Sequence, residues 1–125
     1  MDARHWRRLV KAAEEVTQAT LRGLPPELRE RAAGVPVVFE PWIREEIAGE
    51  DLDPDSLGLF VGDPHGTSES MHPMPPQVFL FLESLWDYAE ADPDLFREEV
   101  RVTYLHELGH YLGLDELDLE QRGLE

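Results

Sequence analysis

Apolar residues recur at helical spacing near the start of the chain. Trp6, Leu9, Val10, Ala13, Val16, Thr17 and Leu21 fall near one face, with Arg7, Lys11, Glu14 and Glu15 opposite. An amphipathic helix is therefore predicted from His5 to about Leu21, stopped by Gly23. Pro25-Pro26 opens a second, short helix that ends by Gly34, since proline is tolerated in a first helical turn. The pattern then changes. Val35-Pro-Val-Val-Phe39 is short, apolar and rich in β-branched residues, which predicts a strand; Pro36 puts it at a sheet edge or at the strand's start. Leu57 to Val61 and Gln77 to Leu82 are two further strands, the last being the most apolar. The connection from Glu40 to Pro54 is acidic and reads as a solvated loop, because the regular oxygen-ligand spacing with a central glycine that calcium requires is missing. The stretch Gly62 to Pro76, with four prolines, reads as a long loop able to form one wall of a cleft.

Helical character returns at Glu83 to Ala89 and is strongest from Pro93 to Leu112. Asp92 is an acceptable N-cap, Pro93 suits the first helical position, and Asp94, Glu98 and Glu99 place negative charge near the positive end of the helix dipole. Gly113 supplies the stop. Leu95, Phe96, Val100, Val102, Leu105, Leu108 and Leu112 cover so much of the circumference that a largely buried helix is expected. Strands grouped in the middle and helices at the ends define an α+β fold, with a small sheet packed against this long helix and the N-terminal helices flanking it.

Composition narrows the picture. At 125 residues without a strong internal break or repeat, residues 1–125 are expected to form a single domain. No apolar run is long enough for a membrane span and Met1 to Trp6 lacks a secretory pattern, so the expected location is cytoplasmic. With no cysteine, metal ligands must be His, Asp or Glu. A net charge of -16 argues against nucleic acid and against anionic membrane surfaces as partners.

Candidate chemistry is concentrated at His106-Glu-Leu-Gly-His110. Histidines four apart on a helix share a face and can direct two imidazoles at one point, and two such borderline donors suit zinc. Glu107 is rotated about 100° from the ligand row, near enough to reach a water held at the metal, which is where a general base is needed. The alternative for Glu107 is a buried carboxylate paired with Arg97 or Arg101. A catalytic zinc takes three protein ligands, so a third is expected beyond the helix. Gly113 permits the chain to reverse in a left-handed conformation and return Glu116, or alternatively Asp115, toward the imidazoles; Asp115 can equally cap a short final helix from Glu116 to Arg122. His65 and His72 have only their loop position in their favour, and His5 reads as an exposed surface residue.

The run Tyr104 to Leu119 resembles small bacterial zincin-like metallopeptidases of the mini-zincin or Asp-zincin type, with the motif H-E-x-x-H-x-x-G-x-x followed by an acidic residue or histidine. Gly58 to Gly62 and Gln77 to Leu82 extend the resemblance weakly. It implies a zincin core, a mixed sheet of about three to four strands with an edge strand beside the metal helix, a Zn2+ cofactor and a peptidase activity on a peptide or protein substrate. His106, Glu107 and His110 carry over directly, while Glu116 carries over by position alone. All three methionines precede the metal helix, so a Met-turn is missing and a full metzincin is disfavoured. Zinc-dependent peptide-bond hydrolysis is thus the leading expectation, with Gln77 to Leu82 the candidate edge strand for holding an extended peptide. The alternative is a non-catalytic zinc-binding or interaction protein on a degenerate zincin scaffold. A metal-free structural domain ranks last, on the expected cost of burying two histidines.

Overall fold

A computed structural model describes residues 2–44, 56–62 and 75–114. The described elements run α1 (Ala3–Arg22), α2 (Pro26–Ala32), β1 (Val37–Glu40), β2 (Gly58–Val61), β3 (Gln77–Phe81), α3 (Leu82–Tyr88) and α4 (Pro93–Leu112). This is the expected α+β arrangement, and the element types match the periodicities that predicted them.

Among the described residues the sheet is three-stranded and mixed, in the order β1-β3-β2. β1 pairs with β3 in parallel, Val37 opposite Val78, and β2 pairs with β3 antiparallel, Gly58 opposite Leu80. This overturns the assignment of Gln77 to Leu82 as an edge strand. β3 is central, with Val78 and Leu80 fully buried, and the edge beside the metal helix is β2. The physical reason lies in the composition: the most apolar strand gains most from being covered on both sides.

α1 buries Leu9, Ala13, Val16 and Thr17 against α4, and the Thr17 hydroxyl donates back to the Ala13 carbonyl at 2.9 Å, satisfying it in the core. α2 buries Leu28 and Ala32, and from it Arg31 donates to the Leu112 carbonyl at 3.4 Å, at the end of α4. His5 is half-buried, contrary to expectation. Its Nε2 lies 3.3 Å from Glu83 Oε1 and its ring stands edge-on to Trp86, so it joins α1 to α3.

α4 has the limits its caps dictate. The Asp92 carboxylate accepts from the Asp94 and Leu95 amides at 2.9 and 3.1 Å. At the other end Gly113 is left-handed at φ 73°, the Leu114 amide donates to the Gly109 carbonyl at 2.8 Å, and Leu114 packs back on the core. That is a Schellman turn, which reverses the chain. The helix is not largely buried, however. Phe96, Val100, Tyr104, Leu105, Leu108 and Leu112 face the core, whereas Leu95, Val102, His106 and His110 are exposed. Burial of Tyr104 pushes its hydroxyl up to about 12, so it stays protonated within the core. Among the described residues no helix is long and apolar enough to cross a membrane.

Candidate metal centre

His106, Glu107 and His110 come together on the open side of α4, one ligand atom from each lying within 4.8 Å of the others. The two imidazoles stand perpendicular with their centroids 5.2 Å apart, as the i, i+4 spacing requires. Two nitrogens on one tetrahedral zinc lie about 3.4 Å apart, so small rotations of solvent-facing rings bring this group to ligand distances. The donor set fits zinc: two imidazole nitrogens, with a carboxylate beside them and no thiolate anywhere in the chain.

Glu107 is less exposed than either histidine and is fixed from the sheet. Its Oε1 accepts from the Phe60 amide at 3.0 Å and lies 3.9 Å from His110 Nε2. The arginine pairing considered for Glu107 is not what forms. Arg97 lies 3.7 Å from Glu15, and Arg101 is paired with Glu98, holding that carboxyl below its usual range. The open-sided position of His106 and His110 also removes the burial argument by which a metal-free domain ranked last.

A cavity of about 520 Å³ opens between β2 and α4, lined by Ser56, Gly58, Leu59, Phe60, Gly62, Glu107 and His110. The sequence predicts a cleft wall from the loop that begins at Gly62. Gly62 does line the cavity, while His65 and His72 lie outside the described residues, as do both third-ligand candidates, Asp115 and Glu116. The turn at Gly113 points the chain back toward the core just before them.

The contribution of β2 to this site was missed. The Leu57 carbonyl accepts from the Phe81 amide at 3.0 Å, so by antiparallel alternation Gly58 and Phe60 turn their own N–H and C=O groups away from β3, toward the side on which no strand pairs among the described residues. A Cβ on Gly58 would stand 2.7 Å from Thr103 Cγ2 and 3.3 Å from Glu107 Cγ, so this glycine sets how closely the strand approaches the helix. A lone glycine inside a strand pattern is a sequence signal of such an approach.

With that geometry in place, the family is settled by comparison. The family model for zincin-like metallopeptidases matches residues 32–124, and the chain belongs to this family. α1 and all but the last residue of α2 precede the matched stretch. Comparison with curated proteins finds no match for the chain.

Proposed function

We propose that the protein hydrolyses peptide bonds in a zinc-dependent reaction, with Glu107 as general base. The observation that carries this reading is the placement of the Glu107 carboxylate, held by the Phe60 amide at 3.0 Å beside the two histidines and lining the cleft. His106 and His110 would hold the metal, with Glu116 or alternatively Asp115 completing the set. A bound zinc ion supplies a Lewis acid, which brings water toward ionisation at neutral pH and polarises the scissile carbonyl. Glu107 takes the proton of the attacking water and returns it to the leaving amine. β2, rather than β3, is the edge on which an extended peptide would pair, its main chain being presented to the cleft at Gly58.

One observation favours a second reading. The His110 side chain is 56% exposed, and a site open to solvent also suits a zinc-binding protein without turnover. Zinc content by elemental analysis, followed by mass-spectrometric profiling of a diverse peptide library, separates the two. Stoichiometric zinc with new peptide termini supports hydrolysis. Stoichiometric zinc and an intact library, where a control zincin cleaves, supports the second reading, and a protein that takes up no zinc sinks both.

A further inference from the structure

We infer that the Phe60 main-chain amide is a positioning group for Glu107, and that Gly58 is the residue that makes its reach possible. The inference rests on Glu107 acting as the base proposed above, but its geometry stands apart from that role. The Phe60 amide faces away from β3, on the side of β2 that is an edge among the described residues, where a strand normally leaves its donors to solvent or to an incoming chain. Here the donor is used within the molecule. It meets Glu107 Oε1 at 3.0 Å across 47 positions of sequence.

Two further features fix this contact. Gly58, two positions earlier on the same strand, faces Thr103 and Glu107 so closely that an added Cβ would clash, which brings the edge within reach of the carboxylate. The Phe60 ring packs against Tyr111 with centroids 6.0 Å apart, holding the strand one turn further along the same helix. The strand is thus held to α4 on both sides of the bond, and Glu107 loses the rotamer freedom a long carboxylate side chain would otherwise keep. A base held in one orientation spends less of each turnover reaching the productive geometry. Because the Phe60 N–H is already engaged, a peptide aligned on β2 does not rely on it. Its removal should therefore slow the chemical step more than it weakens substrate binding.

Amide hydrogen exchange on the full-length protein tests the contact without reference to activity. In the wild type Phe60 should be protected, and Glu107→Gln, which keeps an acceptor oxygen, should retain most of that protection. Glu107→Ala should speed Phe60 exchange at least about tenfold while Leu59 and Val61, whose amides face β3, hold their rates. Equal exchange at Phe60 in wild type and Glu107→Ala overturns the inference, as does acceleration of all three amides together. The catalytic consequence is read from Phe60→Pro against Phe60→Leu. An outward-facing amide on an edge strand can be lost to proline without breaking the ladder, whereas leucine keeps the amide and alters only the side chain. At equal zinc affinity, Phe60→Pro should lower kcat at least about tenfold beyond Phe60→Leu, with KM within about threefold. Equal kcat values in the two variants overturn the positioning role. A wild type that cleaves no peptide sinks the proposed hydrolysis instead, and the exchange result then decides the contact by itself.

Discussion

Around Glu107 the residues divide into those whose identity announces their task and those whose position confers it. His106, Glu107 and His110 belong to the first kind, since two imidazoles and a carboxylate at helical spacing have few other uses. The Phe60 amide belongs to the second. Every residue but proline carries such a donor, so nothing in the sequence could single it out. Gly58 lies between, because a glycine in a strand is a legible anomaly whose partner is not. Its role makes a prediction: Gly58→Ala forces a Cβ into contact with Thr103 Cγ2, 2.7 Å away, and should cost about 1–3 kcal/mol as overpacking, read from the denaturant midpoint. Thr103→Ser removes the offending methyl. The double variant should recover part of the loss as a favourable coupling, and strictly additive losses would show that the steric contact is not the cause.

At the scale of elements, α4 was the most legible because its limits are set by local chemistry. Asp92, Pro93 and Gly113 act on the helix ends within one turn, and the helix runs from Pro93 to Leu112 as they dictate. Asp92→Ala should therefore lower stability by about 1 kcal/mol in equilibrium unfolding. Ala91, just before the cap, sits at φ 59°, a left-handed conformation that an alanine adopts only at a cost. Ala91→Gly should relieve that strain and raise stability by up to about 1 kcal/mol; a loss of stability would show that the turn is not strained. Two element-level expectations failed for a common reason, that burial is decided by long-range packing. Leu95 and Val102 suggested a helix covered all round, yet both are exposed, as apolar surface residues often are. Likewise β3, the candidate edge strand by sequence, has a continuous apolar character that suits the centre of the sheet, where it lies.

For the molecule as a whole, the candidate metal site and the fold are linked through one helix, since α1, α2, β2 and β3 pack on the element that bears His106 and His110. Treating residues 1–125 as one folding unit predicts a single cooperative thermal transition, with fluorescence and circular dichroism coinciding. Free zinc at about 100 times its Kd should add about 2.7 kcal/mol to stability, and a chelator should remove it. His106→Ala should abolish that zinc-dependent shift; a shift that survives would place the metal elsewhere. The central claim is that Glu107 works as the base of a zinc-dependent hydrolysis, and the most direct measurement is the peptide cleavage rate of Glu107→Gln against wild type at matched zinc occupancy. The variant should bind zinc as the wild type does and cleave at least about a hundredfold more slowly. An unchanged rate would contradict it.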